Sequence, residues 1–278
     1  PRPRGMPRDV RGVGQRTVPT RAEACDALLE TGGGTMGITN TQSGTRIDEI
    51  ADGIYRISTP VPPSTIPGGF TFNQFLVADE EPLLFHTGPR GIFSLVREAL
   101  ATVIPPERLR WVAYSHWEPD ESGALNEWLA ASPQAVAMQG QVGTNVCLRD
   151  QAARTPRALA DGEVLSLGKK SIAWIDTPHL PHAWDCGFLF ESTTKTLLAG
   201  DLFTQGGDRV APLVESDILE SSEAFRKTMD YYSHTSGVAE RMEKLAILRP
   251  ETLACMHGSS WRGDGAALLR ALAKSLGG

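Results

Sequence analysis

Residues 110–121 read RWVAYSHWEPDE: an apolar run, Arg110–Ser115, that opens into His116-Trp117-Glu118-Pro119-Asp120-Glu121. The first half has the apolar and aromatic composition of a buried strand. The second half sets three metal-competent donors, His116, Glu118 and Asp120, at alternate positions, which in an extended loop share one side. Two further strands end in the same manner. Thr196–Gly200 runs into Asp201, and Thr252–Met256 runs into His257. A polar group leaving a buried strand needs a partner, because an unpaired one costs about 1–3 kcal/mol. Three such exits in one domain can share one partner, and a metal cluster is the simplest candidate. Taken alone, H-x-E-x-D also describes a solvated acidic loop with Asp120 capping the next helix. That reading leaves His182, Asp201 and His257 unexplained.

Working outward, strands are predicted at Ile47–Ser58, Phe70–Ala78, Pro82–His86, Ala135–Gln139, Ser171–Asp176, Gly187–Glu191 and Thr196–Gly200. Helical spacing covers Ile92–Ile104, Glu121–Ala131, Gln141–Asp150, Glu220–Ser233, Gly237–Leu248 and Gly265–Leu276. Strands, then mixed strand and helix, occur twice over. That order predicts an α/β fold, an αββα sandwich with two sheets face to face and helices outside.

The full donor set is more specific than any one motif. His116-x-Glu118-x-Asp120 is followed after 61 intervening residues by His182, after 18 more by Asp201 and after 55 more by His257. This pattern, with the strings Thr177–Phe190 and Leu197–Asp201, resembles the diiron domain of flavodiiron proteins and the stand-alone oxygen-binding diiron proteins. Both belong to the metallo-β-lactamase fold superfamily, and the similarity runs from about Ile47 to the C-terminus. The resemblance implies that His116, Glu118 and His182 hold one metal, that Asp120 and His257 hold another, and that Asp201 bridges them. Hydrolytic members of that superfamily usually read H-x-H-x-D-H; here Glu118 and Glu121 stand where histidine is expected. Trading imidazole for carboxylate hardens the site and suits iron or manganese better than zinc. Two divalent ions bring four positive charges, and Glu118, Asp120 and Asp201 return three, leaving room for a bridging hydroxide. Asp201 and Glu121 are the candidate catalytic residues. Glu121 departs from the family pattern and has three readings: a seventh ligand, an acceptor behind the ligands, or a first-turn helix acid favoured by the dipole.

The resemblance implies two functions. The first is binding or reduction of dioxygen at two iron ions. The alternative is a metal-dependent hydrolase, with zinc or manganese activating a water to attack an ester, lactone or phosphoester. A chain that ends 21 residues beyond His257 is expected to lack a flavodoxin domain, to carry no flavin and to draw on an external electron donor. Other signatures are absent: there is no G-x-S-x-G elbow, and Gly32-Gly33-Gly34 lacks the strand–helix context of a dinucleotide site.

Of the remaining histidines, His86 ends a strand and is either a contact behind the metals or a plain buried, hydrogen-bonded residue. His179 lies near His182 or at the surface. His234 follows Tyr231-Tyr232 and reads as structural, though that region can wall the pocket. Trp117 and Trp184 flank the donors and serve either as a dry wall or as ordinary packing.

Composition bounds the rest. The 278 residues are 41% hydrophobic, ordinary for a globular chain. The net charge of −6 argues against nucleic acid as a partner. No apolar run is long enough to span a membrane, and no signal peptide is visible. Cys25, Cys147, Cys186 and Cys255 form no CxxC pair, which fits a reducing cytoplasm. Residues 1–45 form a separate arm, rich in Pro and Gly, and residues 46–278 the main domain. Six arginines face one acid over the first 21 positions, and only Arg21–Glu30 has helical spacing. This basic arm is read as a flexible tail, as a segment folded back on its own subunit, or, the expectation adopted, as lying across the acidic body of a second subunit in a homodimer.

Overall fold

In the computed structural model, residues 37–277 are described. The expectations for residues 1–36, the helix at 21–30 among them, lie outside the described residues. From residue 37 the chain makes a turn that docks on the first strand, with Ile38 bridged to Arg46.

One sheet contains β1 (Arg46–Ala51), β2 (Ile54–Val61), β3 (Phe70–Val77), β4 (Leu83–Phe85), β5 (Trp111–Ala113), β6 (Val136–Gly140) and β7 (Arg157–Leu159), side by side in chain order. The other contains β8 (Val164–Ser166), β9 (Ser171–Asp176), β10 (Gly187–Glu191), β11 (Thr196–Gly200), β12 (Leu213–Val214), β13 (Thr252–Cys255) and β14 (Ser260–Arg262), in the order β12-β14-β13-β11-β10-β9-β8.

Successive side chains of a strand point to opposite faces, and these sequences bury both faces. Phe75 and Val77 point into the space between the sheets while Leu76, between them, points outward; Leu83, Phe85 and Leu84 repeat the pattern. In the second sheet Leu189, Leu198 and Ala254 point inward, and Phe188, Leu197 and Leu253 outward. Three apolar layers result. The outer layer of the first sheet packs on α1 (Phe93–Leu100), and on α3 (Leu125–Ala131), which follows the short α2 (Pro119–Ser122). That of the second sheet is covered by α4 (Leu219–Met229), α5 (Val238–Ala246) and α6 (Gly265–Ser275). The expected αββα sandwich is present.

Several element boundaries differ from expectation, each for a local reason. Ile47–Ser58 is a hairpin rather than one strand: Asp52-Gly53 makes a two-residue turn between Ala51 and Ile54, with Gly53 at φ +64°. The helix expected at Glu121–Ala131 breaks at Gly123-Ala124 into α2 and α3. The Gln141–Asp150 helix is interrupted by a π-helical stretch, Thr144–Leu148. Strands β7, β8, β12 and β14 lie outside the expected strands: each has two or three residues and lacks the flanking apolar run that marks the equally short β4 and β5.

The strand ends that matter lie at one edge of the sandwich. Gly200 closes β11 at φ +49°, and a Cβ there would meet Phe188 Cε1 at 2.8 Å and Ser115 Cβ at 3.2 Å. This kink turns the chain so that Asp201 faces the opposite sheet. Gly200→Ala should therefore lower the stability of chelator-treated protein by about 1–3 kcal/mol, through left-handed strain and overpacking. Chemical denaturation checks this, and an unchanged midpoint would contradict it.

Candidate metal centre

Residues 116–121 leave β5 in two parts. Residues 115–117 bend, with Glu118 N donating to His116 O at 3.1 Å, and Glu118 itself is extended at φ −139° and ψ 157°. Pro119 then starts α2 at its first position, where a fixed φ and a missing N–H cost nothing. Asp120 and Glu121 consequently sit in a helical turn, not in the extended loop that the alternation suggests. Nor does Asp120 cap a helix: Glu118 holds the cap position and makes no side-chain cap bond.

His182 belongs to the loop between β9 and β10. The loop is closed by Thr177 N donating to Cys186 O at 3.0 Å and His179 N to Ala183 O at 2.7 Å, with Ala183 at φ +62°. It is pinned to the His116 loop, because Asp185 Oδ2 accepts from Trp117 N at 3.1 Å. Gln139 Nε2 ties both loops by donating to Asp185 O at 2.8 Å and Ser115 O at 3.3 Å. His257 follows β13, and its Nδ1 donates to Thr71 O at 2.8 Å, which leaves Nε2 free of a proton when the ring is neutral.

All six expected donors come together, and Glu121 joins them. They form two groups: His116, Glu118, His182 and Asp201; and Asp120, Glu121 and His257. Asp201 faces both. Its Oδ2 lies 3.6 Å from His116 Nε2 and 3.5 Å from His182 Nε2, while its Oδ1 lies 3.2 Å from His257 Nε2. Glu118 Oε2 lies 3.4 Å from His116 Nε2 and 3.5 Å from His182 Nε2, and Asp120 Oδ2 lies 3.4 Å from His257 Nε2. These separations are long for charge-assisted hydrogen bonds, which run to roughly 2.7–2.9 Å. They match the roughly 3.0–3.4 Å between neighbouring donors around one ion with bonds near 2.1 Å.

Orphaned atoms point the same way. Both Glu121 oxygens, both His182 nitrogens and Asp201 Oδ1 are buried without a hydrogen-bond partner. Burial, with Asp201 and Asp120 nearby, pushes Glu121 well above the usual carboxylate range. Burial opposes ionisation of Asp201 too, but His257, His116 and His182 hold it well below that range. Hydrogen bonding to His116 and His182 brings Glu118 down to about 2. Burial disfavours a charged His257, yet Asp120 and Asp201 outweigh it and raise the ring to about 10. Two buried carboxyl oxygens without a partner, beside carboxylates that ionise, suit a cation, and the donor set fits two metal ions.

His86 lies behind the donors. Its Nε2 is 3.1 Å from Ser115 Oγ, which is 3.0 Å from His116 Nδ1. Burial lowers it to about 3, so it stays neutral. His179 is exposed, and exposed His234 pairs with Asp230 at 3.2 Å. The two tryptophans do not wall the site. Trp117 packs edge-on to Tyr114, and Trp184 is 53% exposed. The wall is instead phenyl and phenol. Phe70 stacks on His257 at 4.2 Å, Phe72 meets it edge-on at 5.8 Å, and Phe225 stacks on Phe70 at 5.6 Å. Tyr231 lies edge-on to His182 at 6.0 Å and donates to Asp201 O at 3.1 Å. The Phe70-x-Phe72 alternation was legible as one strand face, but nothing in the sequence aimed it at His257. Among the donors Glu118 is the most exposed, at 46% of its side chain.

Known proteins resemble this chain in sequence and in fold. The family described as ODP family beta lactamase matches residues 70–258. The chain is 26% identical over 212 residues to rubredoxin-oxygen oxidoreductase of Megalodesulfovibrio gigas, covering 71% of this chain and 50% of that protein. Diflavin flavoprotein A 1 of Synechocystis sp. is 26% identical over 144 residues, covering 50% of this chain and 24% of that one. The chain thus spans half or less of these curated relatives. Among solved structures, rubredoxin oxygen:oxidoreductase from Desulfovibrio gigas aligns with a TM-score of 0.69 at 22% identity, covering 82% of this chain and 61% of that one. The flavodiiron protein from Giardia intestinalis aligns at 0.68 and 20%, covering 83% and 59%.

The raised His257 has a consequence for metal uptake. A metal takes the neutral ring, so it must displace a proton at any pH below about 10. Apparent affinity should rise about tenfold per pH unit for each proton displaced, from neutrality towards pH 10. Calorimetry in two buffers of different ionisation enthalpy measures the release, and pH-independent uptake would contradict it.

Proposed function

The chain belongs to the ODP beta-lactamase family, and on that premise we propose that its seven donors hold two iron ions at which dioxygen is bound and reduced. The observation that carries this reading is Asp201, whose two oxygens face separate donor groups. His116, Glu118 and His182 would hold one ion, and Asp120, Glu121 and His257 the other, with Asp201 between them. Glu121 thereby takes the ligand reading among its three. Four carboxylates balance the four positive charges of two divalent ions, and a set this rich in oxygen favours iron or manganese over zinc.

Bound iron would supply the electrons that dioxygen accepts. The protein's own part is to hold the donors and to keep one side dry. Phe70 and Phe72 would keep water from His257, with Phe225 stacked on Phe70, and the exposed Glu118 side would be the way in for a small molecule. Ser115 and His86 fix the His116 ring from behind.

Sustained turnover needs electrons from outside, and the name of the relative from Megalodesulfovibrio gigas points to a rubredoxin-type carrier. A homodimer and a cytoplasmic setting belong to the same reading. The free thiols of Cys147, Cys186 and Cys255 support the reducing compartment. Among the described residues no helix is long and apolar enough to cross a membrane.

Protein isolated without added metal should contain two iron ions per chain and consume oxygen when given a reductant. Two zinc ions, with ester cleavage and no oxygen uptake, would establish the hydrolase instead. Asp201→Ala should lose at least one of the two ions by elemental analysis. Retention of both would refute the bridge.

A further inference from the structure

One charged side chain lies deep between the sheets and outside the donor set. Arg56, in β2, has no solvent exposure. Its Nη2 donates to Gly258 O at 2.7 Å, while Nε and Nη1 are buried without a partner. Its cross-strand neighbour Asp48 is already held by Arg46 through two 2.6 Å bonds. Among the described residues no carboxylate forms an ion pair with Arg56. A guanidinium stays charged at neutral pH even so. Burying an uncompensated cation is costly, and packing an apolar chain of similar size in its place is often neutral or stabilising. A role in stability alone does not account for this arginine.

Its one bond indicates what it does. Gly258 follows His257, and its carbonyl also accepts from Asn73 Nδ2 at 3.0 Å. The same amide donates to Cys255 O at 2.9 Å, and Asn73 N donates to Met256 O at 3.0 Å. Gly258 N donates to Thr71 Oγ1, and His257 Nδ1 to Thr71 O, both at 2.8 Å. Residues 255–258 of the second sheet are thus sewn to β2 and β3 of the first, and the His257 imidazole hangs from that seam. Gly258 sits at φ +87° with its Cα side against Gln205, so the segment has no slack on its other flank.

We propose that Arg56 is a positioning residue for the His257 half of the metal centre, holding the imidazole in place through the Gly258 carbonyl. This rests on the two-ion reading above.

The test is a cobalt(II) titration of chelator-treated protein, read by absorbance, together with thermal melting before metal is added. Wild type should take up two ions, and His257→Ala should show one uptake step preserved and one weakened. Arg56→Met should reproduce the His257→Ala pattern, with one affinity unchanged and the other lowered about 10- to 100-fold, while the metal-free protein melts no lower than wild type. Arg56→Lys, which keeps a long donor, should recover part of the loss. Asn73→Ala, which removes the second donor to the same carbonyl, should weaken the same step and covers the case in which Arg56→Met fails to fold. Two unchanged affinities in Arg56→Met, or equal loss of both steps with a lowered melting temperature, would overturn the inference. A wild-type chain that takes up fewer than two ions would overturn the two-ion reading, and this inference with it.

Discussion

Four carboxylates within a few ångströms of one another, largely out of water, are the constraint on which this structure turns. Two like charges 4 Å apart repel by about 4 kcal/mol at an effective dielectric constant near 20. Glu118, Asp120, Glu121 and Asp201 cannot all be ionised together without cations. The imidazoles answer part of the demand, drawing protons towards His257 and His182. Glu121, fully buried and without a partner, is the part left over. Added positive charge would let Glu121 ionise with the others.

The sandwich is arranged to hold that cluster. His116, Glu118, Asp120 and Glu121 come from the exit of β5 in the first sheet; His182, Asp201 and His257 come from the second. The loops carrying them are cross-tied. Gly187 N donates to Ser115 O at 3.0 Å, Trp117 N to Asp185, and His257 to Thr71. The inter-sheet layer around Phe75, Phe85, Trp174 and Leu198 sets the spacing of the sheets, and these ties transmit it to the donors. Metal binding and sheet packing therefore reinforce each other across the same edge.

Much of this was legible in the chain. The core strands declare themselves because both faces are apolar, and three of them, β5, β11 and β13, lead into His116, Asp201 and His257, where a buried polar residue needs a partner. What escaped was governed by contacts no local pattern encodes. Strands β7, β8, β12 and β14 exist because a neighbour offers them hydrogen bonds. The Ile47–Ser58 run looked continuous because the Asp52-Gly53 turn is only two residues long. Trp117 and Trp184 are near the donors in sequence, but Phe70 and Phe72 are the ones against His257 in space. The roles of Glu121 and His86 were legible only as alternatives. Burial argues against Glu121 as a solvent-facing helix acid, and the Ser115 hydroxyl links His86 to His116.

The distribution of water around the site bears on which chemistry the proposed centre suits. A hydrolytic centre must admit water and a substrate of some bulk beside an ion that keeps an open position. Here the His257 half is closed by two phenyl rings in direct contact with the imidazole, and Tyr231 is engaged with the Asp201 backbone. The accessible rim is Glu118, on the other half. A small apolar molecule loses little hydration in reaching donors backed by phenyl rings, whereas an ester or phosphoester gives up hydration that those rings cannot replace. The aromatic wall and the oxygen-rich donors thus favour the same reading from independent properties, one through the polarity of what can enter and the other through the hardness of what can bind.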